Sequence, residues 1–184
     1  MNIYALALFL HVLGAVLLFA ALTVEGVALR QLSRASGPSE AASAAGMLRL
    51  NRIVGPLSAL GIVGAGLYMT ATSWGWAPWI LTGIGAWALV AAAGAVNGMR
   101  LLSLERRLSG TADRADAFLP IRDLLLRVSW SARVGIAFGV LFLMTVKPGW
   151  TGAIAAIAVA AAAGAGAGLI ASRGGHRTQL EGTP

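Results

Sequence analysis

The chain has 184 residues, of which 58% are hydrophobic and 11% charged, and its mean hydropathy is +0.78. Soluble domains carry about 25% charged residues, so this composition excludes an ordinary soluble domain and indicates a membrane protein. The formal net charge is +7. Because the basic residues alternate with acidic ones over three loops and a tail, we attribute this charge to membrane topology and anionic lipid, and expect no nucleic-acid partner. The sequence contains no cysteine, which excludes disulfides and thiolate metal sites.

Five long apolar blocks follow one another along the chain, and each is long enough for a helix that crosses the hydrocarbon core. The N-terminus lacks a basic segment, so we expect a retained first helix rather than a cleaved signal peptide. We predict an all-α membrane protein with one domain over residues 1–171, a bundle of five transmembrane helices. A polar, disordered cytoplasmic tail is expected over residues 172–184. The predicted spans cover residues 3–29, 52–73, 79–99, 124–146 and 150–171.

The connections between the blocks differ in character. A short interfacial helix is expected at residues 40–50, before the second span. The uncharged, Trp-rich turn at residues 74–79 is typical of an aromatic belt at a membrane interface. A polar loop is expected at residues 110–118, and a basic amphipathic stretch at residues 121–130 is expected to lead into the fourth span. The turn at residues 147–149 is minimal.

The basic residues are sorted between alternate connections. Lys147 is the single basic residue in the connections of the other set. The basic residues of the first set and the tail are Arg30, Arg34, Arg49, Arg52, Arg100, Arg106, Arg107, Arg114, Arg122, Arg127, Arg173 and Arg177. Since cytoplasmic loops retain Lys and Arg, this pattern predicts five spans with the N-terminus outside and the C-terminus in the cytoplasm. The Arg-rich, Ala-rich and Gly-rich composition favours a bacterial protein, and therefore the inner membrane.

Glycines recur at a spacing of four residues in three of the predicted spans. Such spacing allows two helix backbones to approach closely in lipid. We expect these glycines to pack helices inside the bundle. The alternative is that the fifth helix docks a second copy of the chain or another membrane subunit. The helix-packing candidates are Gly94, Gly98, Gly135, Gly139, Gly164 and Gly168.

Ionisable residues inside a membrane span are candidates for a functional site. Glu25 and Arg133 lie at similar depth in the first and fourth spans, so they are expected either to pair or to leave Arg133 reaching toward the interface. A structural pair would fix the packing of these two helices. The functional alternative is a proton or ligand site that faces a polar cavity, with Asn97 at a similar depth.

His11 lies near the middle of the first span and on the same side of that helix as Glu25, by a rotation of about 100° per residue. It is expected either to hydrogen-bond to a neighbouring helix or to bind haem iron or copper. The spans contain no second His, so Met69 or Met144 would have to supply a sulfur ligand. No motif of a hydrolase or of a nucleotide-binding enzyme occurs, so we predict a protein without catalysis.

The segment at residues 10–15, with the sequence LHVLGA, resembles the start of bacterial integral membrane proteins of the domain-of-unknown-function 2269 group. The overall length, the Arg-rich first loop and the glycine-rich second span after Asn51 and Arg52 are similar as well. The same segment is similar, more distantly, to the copper-resistance D family, whose first helices carry a His-then-Gly pattern. The second resemblance implies a metal role for His11.

Three hypotheses remain open on the sequence. The first is a small inner-membrane protein that acts through a polar site inside the bundle, on a small molecule or ion, or that serves as a membrane subunit. The second is an exporter of small molecules that dimerises through the fifth helix. The third is a redox or metal-handling protein that holds haem or copper at His11.

Overall fold

The computed structural model describes residues 2–35, 37–110 and 124–180, and these ranges contain helices and no strand. Most of the predicted polar loop and the start of the amphipathic stretch lie outside the described residues. Two short π-helical turns, Leu60–Gly64 and Thr70–Trp74, follow α2 and α3. The helices are α1 (Ile3–Arg34), α2 (Pro38–Ala59), α3 (Ala65–Met69), α4 (Pro78–Gly110), α5 (Leu124–Val146) and α6 (Trp150–Leu180).

Five helical segments of the described chain are long and apolar enough to cross a membrane. This finding confirms the predicted all-α class and the predicted number of spans, at the level of length and composition. The second span is a continuous run of α2, α3 and the two π-helical turns. The five segments are Ile3–Arg34, Ser39–Trp74, Pro78–Leu101, Leu124–Val146 and Trp150–Ser172.

The helix expected at residues 40–50 is not a separate element, because α2 runs without a break from Pro38 to Ala59. The segment from Glu40 to Gly55 has no proline to interrupt the helix, and Pro56 lies inside the helix rather than in its first turn. Proline has no N–H to donate to the preceding helical turn. The carbonyl oxygen of Pro56 still accepts from the backbone N–H of Leu60, and the first π-helical turn begins at Leu60.

Three helices extend beyond the predicted ends of their spans. α1 ends at Arg34 instead of residue 29, and α4 ends at Gly110 instead of residue 99. α6 continues to Leu180, through most of the segment that the sequence predicts to be a disordered tail. Hydropathy marks the part of a helix that suits lipid, whereas the backbone hydrogen bonds continue into polar residues beyond it.

α5 occupies the central position, since it packs against α6, α4 and α1. α1 packs along the second span for much of its length and meets α5 through its second half. The packing contact between α1 and α5 therefore holds the α1–α2 pair against the group of α4, α5 and α6.

The close contact between α5 and α6 depends on glycine. A Cβ atom at Gly135 would collide with the carbonyl oxygen of Ala160, and one at Gly164 would collide with that of Ser131. Gly139 and Gly168 also face the partner helix at distances that leave little room for a methyl group. These four glycines, which the sequence singled out for helix packing, lie in the contact between α5 and α6. The glycine face of α6 is covered by α5, so a second copy of the chain would have to dock elsewhere.

The connections at residues 75–77 and 147–149 meet at one end of the bundle, which we call the Trp-rich end. The Nζ atom of Lys147 lies 3.7 Å from the centroid of the Trp74 ring, and the Trp74 indole donates a hydrogen bond to the Tyr4 hydroxyl at 3.1 Å. Trp79 packs edge-on against Trp74, with ring centroids 5.9 Å apart. The one basic residue that departs from the charge sorting is therefore held against aromatic rings, where a cation is attracted to the ring face.

Candidate functional site

Glu25 and Arg133 form a bidentate ion pair between α1 and α5. Nη1 of Arg133 donates to Oε1 of Glu25 and Nη2 donates to Oε2, both at 2.7 Å. The two residues are 6% and 7% exposed. Two parallel, charge-assisted hydrogen bonds are the geometry that best compensates the removal of both charges from water. Of the two alternatives that the sequence left open, the structure shows pairing.

The buried stripe of α1 explains why Glu25 faces α5. Leu22, Glu25, Leu29 and Leu32 recur at spacings of three and four residues, and all are buried. This periodicity places them on one side of a helix. The charged side chain therefore lies in line with the apolar residues that pack α1 into the bundle.

Trp130 completes the contact between α1 and α5. Its indole Nε1 donates a hydrogen bond to the carbonyl oxygen of Leu22 at 2.8 Å. The ring lies against Gly26, where a Cβ atom would collide with it. Trp130 precedes Arg133 by three residues, so both side chains reach the same stretch of α1 from adjacent turns of α5. Sequence reasoning missed Trp130, although an indole in an apolar helix near a charged residue is a usable signal, because a buried N–H needs an acceptor.

The guanidinium of Arg133 also lies against α4. A Cβ atom at Gly94 would be 3.3 Å from Cζ and Nη2 of Arg133 and 3.6 Å from Nε. Gly94, which the sequence singled out for helix packing, thus provides the space in which the guanidinium lies. Its partner in that prediction, Gly98, makes no such contact, since a Cβ atom there would meet no described atom within 4 Å.

Asn97 is 4% exposed and lies one helical turn along α4 from Gly94. Its Nδ2 atom has no hydrogen-bond partner in the described part of the chain, and the same holds for Nε of Arg133. Buried polar groups are nearly always paired, so it is unusual that one N–H of the guanidinium and the amide of Asn97 both lack a described partner. Asn97 therefore lies one turn from the residue of α4 that meets the guanidinium of Arg133.

Asn51 is a second polar residue near this region that sequence reasoning did not single out. Its Nδ2 atom donates to the carbonyl oxygen of Ala21 at 3.0 Å, one helical turn from Glu25. Its Oδ1 atom is buried and has no partner within the described ranges. The sequence placed Asn51 just before the second span, and the uninterrupted α2 carries it into contact with α1 instead.

His11 does not belong to the same site. It is fourteen residues from Glu25, which is about 21 Å along the helix at 1.5 Å per residue. Its Nδ1 atom lies 2.9 Å from the carbonyl oxygen of Ile62, in the first π-helical turn. Because a carbonyl oxygen only accepts, Nδ1 carries the proton and donates. The hydrogen bond to a neighbouring helix, which was one of the two alternatives for His11, is therefore present.

The other candidate metal ligands are dispersed. Met69 packs with Ala7 and Ala65, whereas the methyl group of Met144 lies against Gly83 of α4, on the other side of the bundle. Across residues 2–35, 37–110 and 124–180, no three His, Cys, Asp or Glu side chains are grouped so that they could hold a metal ion. Haem or copper binding at His11 stays a prediction.

An apolar groove with a volume of about 510 Å³ lies between α1 and the second span. Its walls include Leu6, Leu13, Leu57 and Tyr68, and neither His11 nor Glu25 lines it. This groove is therefore not the polar cavity that the sequence associated with the ionisable residues. The polar groups of the candidate site lie instead at the junction of α1, α4 and α5.

No protein-family model, curated protein or solved structure matches this chain. The resemblances to the domain-of-unknown-function 2269 group and to the copper-resistance D family stay predictions.

Proposed function

We propose that this chain is a multi-pass protein of the bacterial inner membrane that handles a small molecule or ion, without catalysis, at the Glu25–Arg133 site. The observation that carries the proposal is the buried ion pair with two unpartnered donors beside it, Nε of Arg133 and Nδ2 of Asn97, among the described residues. An ion pair that only joined two helices would not require further buried donors. Charged residues within membrane spans are rare, and they commonly mark the path of an ion or substrate.

We place the N-terminus outside and the C-terminus in the cytoplasm. The sorting of the basic residues supports this orientation, and the geometry agrees with the alternation of the connections, because the Trp-rich turn and the Lys147 turn lie together at one end of the bundle. Arg34 ends α1 and therefore lies at the opposite end. With this orientation the candidate site lies in the cytoplasmic half, since Arg133 is nearer to Leu124 than to Val146 within α5.

Single cysteines test the orientation, because the natural sequence contains none. Ser73 is exposed at the Trp-rich end, and Ser39 is exposed near the start of α2. In intact spheroplasts, a membrane-impermeant maleimide should label Ser73→Cys and should label Ser39→Cys only after permeabilisation. The reverse pattern would overturn the orientation, and the cysteine-free chain controls for background labelling.

Flux measurements on reconstituted vesicles test the role of the site. Three probes are used. An enclosed pH dye reports proton flux, a potassium dye reports potassium flux, and light scattering reports acetamide flux. We expect the chain to carry at least one probe about tenfold faster than protein-free vesicles, since intramembrane charges mark such paths. The double variant Glu25→Gln/Arg133→Gln should abolish this flux. Thr23→Ala, an exposed polar change on the same helix, is the matched control. Equal flux in the double variant, or none in the natural chain, would contradict the proposal.

A further inference from the structure

The guanidinium of Arg133 lies against α4 and has one N–H that Glu25 does not occupy. Glu25 accepts from Nη1 and Nη2, which leaves the N–H of Nε without a partner in the described chain. The three guanidinium atoms nearest to a Cβ at Gly94 are Cζ, Nη2 and Nε. Nε and Nη2 form the side of the planar fork on which an arginine can bind a second acceptor. These distances place the guanidinium against α4 at Gly94.

Asn97 supplies a second donor at the same place. Residues three apart on a helix have Cβ atoms about 5–6 Å apart on neighbouring parts of the surface, so Asn97 adjoins the guanidinium seated at Gly94. The side chain is more than nine-tenths buried, and its Nδ2 lacks a partner among the residues described. Two buried donors without a described partner, one on α5 and one on α4, thus belong to the contact of these helices around Gly94.

The charge balance of the site determines which ligand suits these donors. Glu25 already neutralises Arg133, so an anion would leave a net negative charge buried in the bundle, which is costly. A cation would meet two N–H donors and no compensating acceptor there. A neutral oxygen atom can accept from both donors without adding charge.

We infer that Nε of Arg133 and Nδ2 of Asn97 together bind one neutral oxygen acceptor. The inference rests on the proposed function, because it names the class of ligand that the same site takes. Two sources share this chemistry: a water molecule, and the carbonyl oxygen of a small amide-like molecule. In both, the oxygen bridges α4 and α5 next to the ion pair.

Solid-state NMR of the full chain in lipid bilayers, with ¹⁵N-labelled arginine, tests this inference. The Nε signal of Arg133 is identified by its loss in Arg133→Lys. If water is the ligand, this signal receives magnetisation from water. If a carbonyl compound is the ligand, the signal shifts when N-methylacetamide is added. The absence of both effects would overturn the inference.

Two variants at Asn97 test the second donor. In Asn97→Leu, the water transfer or the shift should fall about threefold or more, because one of the two donors that hold the oxygen is gone. In Asn97→Asp, the new carboxylate supplies its own oxygen to Arg133, so the effect should also be lost while the fold stays unaltered by circular dichroism. An unchanged effect in either folded variant, or a spectrum showing that the Asn97 amide oxygen itself accepts from Nε, would overturn the inference.

This inference and the proposed function fail separately. Flux through reconstituted vesicles without an oxygen acceptor at Nε would remove the inference and keep the proposed function. An acceptor bound at Nε, with no flux of any of the three probes, would remove the proposed function and keep the acceptor site.

Discussion

α5 is held on its two sides by different means. On one side Gly135 and Gly164 bring the backbones of α5 and α6 into contact. On the other side, an ion pair and an indole hydrogen bond join α5 to α1, between residues 108 positions apart in the chain. Lipid gives no hydrophobic drive for two apolar helices to associate, so small residues allow close packing and polar contacts select the partner. The α5–α6 contact also has a short connecting turn to assist it, whereas the α1–α5 contact must find its register across the bundle.

The largest loss of stability is expected when one charge of the ion pair between α1 and α5 is removed. Arg133→Leu leaves Glu25 buried without its partner, so we expect the free energy of unfolding to fall by about 3–5 kcal/mol. SDS-induced unfolding in mixed micelles measures this loss. The double variant Glu25→Leu/Arg133→Leu should recover most of it, since no charge is then left unpaired. Equal losses in the single and double variants would show that the charge pair does not hold this side.

A methyl group should disrupt the glycine side. Gly164→Ala places a Cβ against the carbonyl oxygen of Ser131, and we expect a loss of about 1–3 kcal/mol in the same unfolding assay. Gly166 is the matched control, because a Cβ there meets no described atom within 4 Å. Gly166→Ala should leave stability unchanged or raise it slightly. Similar losses at both positions would argue against close backbone contact at Gly164.

The indole hydrogen bond makes a smaller contribution to the α1–α5 side. Trp130→Phe keeps an aromatic ring over Gly26 but removes the donor to Leu22, so a loss of about 1 kcal/mol is expected. Trp150→Phe, at an exposed position, serves as the control in the unfolding assay. A loss at Trp130 no larger than that at Trp150 would leave the ion pair as the sole polar connection that matters.

The smallest effect is expected at the Trp-rich end, away from both sides of α5. Lys147→Gln removes the cation from the face of Trp74, which should cost about 0.5 kcal/mol. Lys147→Arg keeps the cation and should retain stability within the error of the measurement. A loss in the Arg variant equal to that in the Gln variant would indicate that the backbone of the turn, rather than the charge, is responsible.

Much of the architecture could be predicted from local properties of the sequence. The span count follows from hydropathy, and the four glycines of the α5–α6 contact follow from their spacing. The neighbours of His11 and Glu25 could not be predicted in the same way. Their rotation places them on one side of α1, but His11 meets the second span and Glu25 meets α5. The angular position of a residue gives the direction in which its side chain leaves the helix axis. The helix that lies in that direction differs between the two ends of α1.

The sequence by itself determined the number and order of the spans and the residues that could not face lipid without a partner. Those properties depend on the free energy of each segment in water and in hydrocarbon, which is local. Only the tertiary structure decided that Arg133 binds Glu25 with both Nη atoms, that Gly94 receives the guanidinium, and that Trp130 bonds to α1. These contacts depend on which helices are neighbours and on their relative positions along the helix axes. That choice is made by the packing of the whole bundle.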